Sequence, residues 1–506
     1  MTVFLGLDIG TTSTIGILID TGGRVLALAS RPVTLYAEHP GWAEEDPAQW
    51  WDNCCALVPE LLRSAGISAD RIAGIGVAGM LPAVVLLDQN GAVLRRSIQQ
   101  SDGRAGAEVD AMRREIDETA FLQAAGCGVN QQLVGAKIRW LARHEPEVLD
   151  RAKTLFGSYD YINYRLTGVA AVEQNWALEA GIVNVASGRL DPAQAALTGI
   201  PPHLLPPLIG SSALLGHVTA EAAASTGLAA GTPVVGGAAD MIASCLGAGV
   251  VQGGDVLLKF GGAVDILTAT ERLCPDPRLF LDYHLIPGLW LPNGCMSTGG
   301  SVLNWFVETF AGGITPLDGS RHAALDAMAA ERPAGAMGLT FLPYLLGEKT
   351  PLHDPAARGA LNGLTLSHDM GHIWRAVLES YAYAIRHHIE TFNEIGHPTT
   401  RFMVSDGGAK SSVWMGIVAD VLGKPLQRLG GHPGSCLGAA WTAAVGLGAA
   451  QWGASPPSPA ATGFSRRTRP IARPMTGAMP PSAISTAGSK GRSRDGLSVE
   501  GRRPGH

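Results

Sequence analysis

Apolar positions along this chain recur in two patterns, the alternation of strands and the spacing of helices at about 3.6 residues per turn. The opening stretch FLGLDIGTTSTIGILID, Phe4 to Asp20, sets two β-prone apolar runs almost back to back. Residues 3 to 30 read as a three-stranded meander: Val3–Asp8, Thr14–Asp20 and Arg24–Ser30, with Thr21-Gly22-Gly23 as the second turn. The same grammar returns in the second half as GDVLLKFGGAVDILTAT, with a strand at Asp255–Phe260, a Gly261-Gly262 turn and a strand at Ala263–Thr270. Either the architecture is duplicated, with a cleft between the halves, or two glycine-turn hairpins coincide. Amphipathic helices follow each hairpin region. In HIWRAVLESYAYAIRHHIETF, Ile373, Val377, Tyr381, Ala384, Ile385, His388, Ile389 and Phe392 share one face. On that face His388 reads as a packed core histidine. Strands and helices alternate in both halves, so the fold class is α/β.

The opening hairpin holds more chemistry than a turn requires. Gly10 supplies backbone freedom for the reversal. The turn has no need of Asp8 at the end of a run destined for the core, or of Thr11, Thr12 and Ser13 crowded at the tip. A tip that holds phosphate oxygens and a magnesium ion needs both.

The 506 residues suffice for two large domains or about three smaller ones. Hydrophobic content of 46% and a mean hydropathy of +0.15 describe a globular chain with generous cores. A net charge of −6 gives no general attraction for nucleic acid or anionic membrane. The seven cysteines form no CxxC pair, which argues against a zinc site or disulfide framework and fits a reducing cytosol. The N-terminus lacks the basic region of a signal peptide, and no apolar stretch reaches the roughly 18 residues of a membrane span. A cytoplasmic protein is expected. From residue 451 to His506 the chain turns to Pro, Ser, Gly, Ala and Arg, which reads as a disordered low-complexity tail.

Several motifs bear on chemistry. GIGVAG, Gly74 to Gly79, satisfies GxGxxG, but Met80-Leu81-Pro82 and another strand follow where a dinucleotide fold opens a helix. It reads as a glycine-rich strand. No GxxxxGK[ST] phosphate loop is present, and SDGGAKS lacks its spacing. In VVGGAADMIASCLGAG, Asp240 stands between a strand and a small-residue helix. It is either a helix N-cap or a cleft-facing catalytic base. VSDGGAKSSVWMGIVADVLG repeats the strand, Gly407-Gly408-Ala409, helix order. That order suits either a tight turn or a site where a flat ring and phosphate approach the backbone.

Together these pieces resemble the FGGY carbohydrate kinases of the actin-like ATPase superfamily, closest to the xylulokinase branch, from about residue 3 to 450. GALNGLTLSHDMGHIWRAVLE, Gly359 to Glu379, fits the family's second signature at every constrained position. KIRWLARH, Lys137 to His144, meets the first signature in part, because Val134 stands where Pro, Ser or Thr is preferred. HPGWAEEDPAQWW, His39 to Trp51, and GEKTPLHDPAARG, Gly347 to Gly359, are similar to the xylulokinase N-terminal segment and cleft loop.

The resemblance implies two actin-like (ribonuclease H-like) domains, 1–247 and 248–450, flanking a central cleft, with 451–506 as tail. It implies ATP and Mg²⁺, with Asp8 near the metal and Gly10, Thr11, Thr12 and Ser13 at the first phosphate loop. Gly261 and Gly262 match the second loop, Gly407, Gly408 and Ala409 the adenosine site, and Asp240 the general base. A sugar pocket of Trp42, Met80, Leu81, Asp102, Arg104 and Asp240 is expected. Two departures bear on it. Gly79-Met80-Leu81 replaces a common Gln-Met-His run, and Gln100-Ser101-Asp102-Gly103-Arg104 replaces Trp-Asn-Asp-x-Arg. KFGGAVD also lacks the hydroxyl residues common in the second loop. The expected activity is an ATP-dependent pentulose kinase converting D-xylulose to D-xylulose 5-phosphate. The alternatives are a kinase for ribulose, erythritol or glycerol, or a non-catalytic sugar-binding regulator. Expected partners are the sugar and ATP, with a homodimer as the assembly to test and no nucleic acid or membrane.

Overall fold

The computed structural model describes residues 2–430 and 433–453, and the backbone of 462–464. Two seven-stranded sheets form its frame. The first contains β1 (Val3–Ile9), β2 (Ser13–Asp20), β3 (Val25–Pro32), β4 (Ile72–Gly79), β5 (Leu214–His217) and β6 (Pro233–Val235), in the order β5-β6-β4-β1-β2-β3. The pair Ala238–Ala239 adds to the end of β4. The second contains β7 (Asp255–Phe260), β8 (Val264–Thr268), β9 (Phe280–Tyr283), β10 (Trp290–Met296), β11 (Arg401–Ser405), β12 (Leu426–Arg428) and β13 (Thr462–Phe464), in the order β9-β10-β8-β7-β11-β12-β13.

The cores of the two sheets correspond strand for strand. β1 is antiparallel to β2 and parallel to β4, as β7 is to β8 and β11. Duplication, rather than coincidence, therefore explains the paired hairpins. Strand bounds agree with the sequence pattern to within a residue or two. The tail expected to lack order contributes β13, which pairs antiparallel with β12. The rest of it beyond Gly453 lies outside the described residues.

Local chemistry explains the helices. In α1 (Pro47–Ala65), Asp46 caps the N-terminus by accepting from the Ala48 N–H, Pro47 pre-sets the first turn, and Gly66 closes the helix at φ 65°. Its buried Trp50, Trp51, Cys54, Leu57, Val58 and Leu61 face β2 and β3. Further along run α2 (Asp240–Gly247), α3 (Gly300–Phe310), α4 (Met370–Glu394), α5 (Ser412–Leu422) and α6 (Ser435–Gly446). His388 in α4 is a core histidine, with Nε2 2.9 Å from Thr350 Oγ1 and Nδ1 2.8 Å from the Ala384 carbonyl.

Helix α6 lies between β12 and β13 of the second sheet in sequence yet packs on the first, against β1, β4 and α2. Glycines make this approach possible. A Cβ at Gly6 would stand 2.0 Å from the Cys436 carbonyl oxygen, and one at Gly76 2.1 Å from that of Ala439. At Gly438 it would lie 1.9 Å from the Ala243 carbonyl oxygen, and at Gly74 2.2 Å from Leu447 Cδ1. The false dinucleotide fingerprint thus owes two of its glycines to helix packing. Among the described residues all seven cysteines are free, and no helix is long and apolar enough to cross a membrane.

Candidate active site

The two phosphate-type hairpins and the strand-to-helix switches meet where β1, β4 and β7 end. Asp8 is next to last on β1, opposite Ile15 on β2 and Ala78 on β4. Its side chain is buried. Ser435, the first residue of α6, donates its hydroxyl to Asp8 Oδ2, while Asp8 Oδ1 has no hydrogen-bond partner. Burial pushes the Asp8 carboxyl up to about 7, and the Asp240 charge adds to that rise; the Ser435 hydrogen bond and Lys259 oppose it. The tip beyond Asp8 is tight, with the Gly10 N–H donating to the Ser13 carbonyl at 3.1 Å. Gly10 is not among the glycines with positive φ; a Cβ there would stand 3.1 Å from the Ser13 carbonyl oxygen, so space and not an unusual conformation favours glycine. Thr11 and Ser13 are half-buried and Thr12 is exposed.

Asp240 is the first residue of α2, and the N-cap is Ala239. Its carboxylate is therefore not the N-cap that one sequence reading allowed, although Oδ1 accepts from the adjacent Met241 N–H at 2.5 Å. Burial raises its pKa, with Asp265 adding, while Lys259 and the Met241 hydrogen bond lower it. A buried carboxylate whose pKa is raised is, when ionised, a stronger base toward an alcohol proton.

The β7–β8 loop, Gly261 to Ala263, is braced by the N-terminus of α3. Gly300 N–H donates to the Gly261 carbonyl at 2.9 Å, and Ser301 Oγ donates to that of Gly262 at 2.8 Å. A Cβ at Gly262 or at Gly407 would meet nothing within 4 Å, so both face open space. Gly408 differs: a Cβ there would lie 2.6 Å from the Trp414 ring and 2.8 Å from Phe260 Cβ. Its small size serves the core of the second domain, to which Ala409 also belongs. Sequence reasoning missed three charged neighbours: Lys259, Asp265 and Asp406. Their signal was available, since Lys259 and Asp265 interrupt the apolar run VLLKFGGAVDIL on either side of its turn.

Residues expected at the sugar pocket fall into two groups. Met80 continues β4 beside Asp8, its N–H donating to the Ile9 carbonyl at 3.0 Å; Met80 and Leu81 are both buried. Trp42, Asp102 and Arg104 form a second group. Arg104 grips Asp102 through Nε–Oδ1 at 2.8 Å and Nη2–Oδ2 at 2.7 Å, and Nη1 lies 2.7 Å from Glu44 Oε1. Its guanidinium lies 3.8 Å from the Trp42 ring centroid and 5.0 Å from that of Trp140. Asp102 also accepts from the N–H groups of Ala43 and Arg104. Its oxygens are thus engaged by this chain, and the cluster is a buried clamp beneath Trp42. Among the described residues no hydrogen bond or ion pair joins Asp240 to this group. Lys137, from the first signature, ties the groups together by donating to the carbonyls of Pro82 at 3.3 Å and Gln99 at 3.0 Å. Burial lowers its pKa to about 7.

The arrangement fits a magnesium nucleotide. Among the described residues no group of three or more His, Cys, Asp or Glu is placed to chelate a metal. Mg²⁺ needs no such cage, because it keeps waters and takes one or two carboxylates plus phosphate oxygens. Asp8, with Oδ1 orphaned and the Asp240 charge acting on it, would supply such a carboxylate.

Comparison with known proteins agrees with this geometry. Residues 3–247 match the N-terminal domain of the FGGY family of carbohydrate kinases, and residues 264–447 match its C-terminal domain. The crystal structure of xylulose kinase from Rhodospirillum rubrum is 55% identical, with a TM-score of 0.87 over 92% of this chain and 94% of that one. Xylulose kinase of Staphylococcus epidermidis is 30% identical over 451 residues, covering 88% of each chain. L-xylulose/3-keto-L-gulonate kinase of Escherichia coli is 31% identical over 455 residues, again covering 88% of each. Both domains, in order and over most of their length, are those of one family: this chain belongs to the FGGY carbohydrate kinases.

Proposed function

We propose that this chain is an ATP-dependent xylulose kinase that transfers the γ-phosphate to a pentulose hydroxyl, converting D-xylulose to D-xylulose 5-phosphate. The observation that carries the substrate is the 55% identity, over 92% of the chain, to the Rhodospirillum rubrum xylulose kinase. Asp240 accepts the proton of the attacking hydroxyl as its oxygen bonds to the γ-phosphorus. The bond from that phosphorus to the bridging oxygen breaks, and ADP leaves. Asp8 holds the metal from the β1 end, with Ser435 fixing its carboxylate. The Gly10–Ser13 tip and the open face of Gly262 offer backbone N–H groups to phosphate oxygens, and Gly407 leaves room for the adenosine. Mg²⁺, when bound, neutralises charge on the β- and γ-phosphates. Met80 and Trp42 supply apolar walls for the sugar, and the Asp102–Arg104 clamp holds Trp42 in place. Such a kinase works where ATP is supplied, in the cytoplasm.

A second reading within the same chemistry rests on the 31% identity to the L-xylulose/3-keto-L-gulonate kinase. Leu81, buried without a polar atom beside Met80, makes the pocket less demanding at one sugar position. ADP release measured with D-xylulose, L-xylulose, D-ribulose, L-ribulose, 3-keto-L-gulonate, erythritol and glycerol separates the readings. D-Xylulose is expected to give the highest kcat/KM. If another sugar exceeds it more than about tenfold, the substrate assignment fails while the kinase stands.

A further inference from the structure

Lys259 is the cation beside Asp8 and Asp240 to which the reaction as derived gives no task. It lies on β7 one residue before the Phe260-Gly261-Gly262 turn, directly opposite Asp265 on β8 and Ser405 on β11. Four carboxylates act on its ammonium through space: Asp265 and Asp406 from its own domain, Asp240 and Asp8 from the other. Among the described residues no side-chain hydrogen bond or close ion pair holds the Lys259 ammonium. The ammonium is thus held by surrounding charge rather than by a fixed partner, so its long stem can re-aim it.

The adjoining loop lacks other means of holding phosphate. Gly261, Gly262 and Ala263 carry no side-chain hydroxyl, and the adjoining Ser301 Oγ is engaged with the Gly262 carbonyl. Backbone N–H groups remain, but they carry no net charge against a terminal phosphate entering a field of four acids. The two cross-domain neighbours locate the ammonium along the triphosphate. Asp240 marks where the acceptor hydroxyl meets phosphorus, and Asp8 marks the metal. A cation within reach of both stands at the γ end.

We propose that Lys259 is a γ-phosphate ligand and catalytic residue of this kinase: its ammonium contacts the transferring phosphoryl group from the second-domain side, opposite Asp8. This rests on the reading of the β7–β8 turn as a phosphate loop. Lys259 keeps its proton throughout. As the bond from phosphorus to the bridging oxygen breaks and the new one to the sugar oxygen forms, the ammonium offsets charge on the equatorial oxygens.

Calorimetric titration of the full-length protein with Mg·ADP and with a non-hydrolysable Mg·ATP analogue tests this, alongside turnover of D-xylulose. Lys259→Met is expected to weaken the analogue at least about tenfold and ADP less than about threefold, and to lower kcat by about 10²–10³-fold. Lys259→Arg should recover part of both losses. Equal weakening of the two nucleotides, or turnover within about threefold of the unaltered protein, overturns the proposal. If Lys259→Met does not fold, Lys259→Gln is judged by the same ratio of affinities. Should the unaltered protein bind neither nucleotide, the phosphate-loop reading itself falls, an outcome distinct from loss of γ-selectivity.

Discussion

At the scale of single residues, the proposed mechanism divides the chemistry between two carboxylates, Asp240 as proton acceptor and Asp8 as metal holder. Asp240→Asn keeps the shape and removes the proton acceptor. Turnover should fall by about 10²–10⁴-fold, with melting temperature and nucleotide affinity nearly unchanged. A loss under tenfold with a lower melting temperature would make Asp240 a structural residue of α2. Asp8→Ala should instead raise the Mg²⁺ concentration needed for half-maximal rate, because Asp8 acts through the metal. Steady-state rates across a Mg²⁺ series decide this; an unchanged curve would leave Asp8 without that role. Both acids were legible in the sequence, since each interrupts an apolar stretch at a glycine-rich turn. The saturation of Asp102 was not. Its partner Ala43, and Glu44 on the other side of Arg104, lie far away along the chain, and only the fold shows that its oxygens are engaged. Lys259 and Lys137 escaped notice for a related reason: a lysine in a strand or helix reads as a solvated face until burial is known.

Elements add constraints that no single residue announces. Glu45 shows one, lying buried just ahead of α1 with Oε2 accepting from the Trp50 indole at 2.8 Å and Oε1 unpartnered. Burial pushes its pKa from 4.5 to about 8. The folded state therefore keeps a proton that the unfolded chain releases, and stability falls as pH rises from about 4.5 to about 8. Glu45→Gln removes that linkage. Its melting temperature should gain on the unaltered protein as pH rises through this window, with little difference at pH near 4. A constant offset across pH would contradict the assignment. The glycines of β4 give a second case. Gly76→Ala would push a methyl against the Ala439 carbonyl, so α6 must shift, at a cost of about 1–3 kcal/mol or more, readable by chemical denaturation. From sequence GIGVAG could be recognised as a strand. Why it needs glycines could not, because the helix that presses on it follows β12, far along the chain.

For the whole molecule, the duplication was visible as two glycine-tipped hairpins, and the family signatures supplied the cleft between them. What the linear order concealed is that neither domain is closed by its own stretch of chain. α6 covers the first sheet although it follows β12, and β13 then returns to the edge of the second sheet. A fragment of residues 1–253 should therefore bind a hydrophobic dye and melt without cooperativity. A peptide of residues 433–453 added to it should restore a sharp transition. Cooperative melting of the fragment alone would show that the first domain needs no cover.

The late arrival of α6 has a consequence during synthesis. The first sheet is complete once Ala238–Ala239, just after β6, leave the ribosome, but the helix that seals its face is the last of the six to emerge. At about 5–20 residues per second, translation of the intervening stretch leaves that face bare for about ten seconds or longer. Nascent chains of this protein should be bound by chaperones throughout that interval. Nucleotide competence should arise only after α6 has emerged, when Ser435 first reaches Asp8.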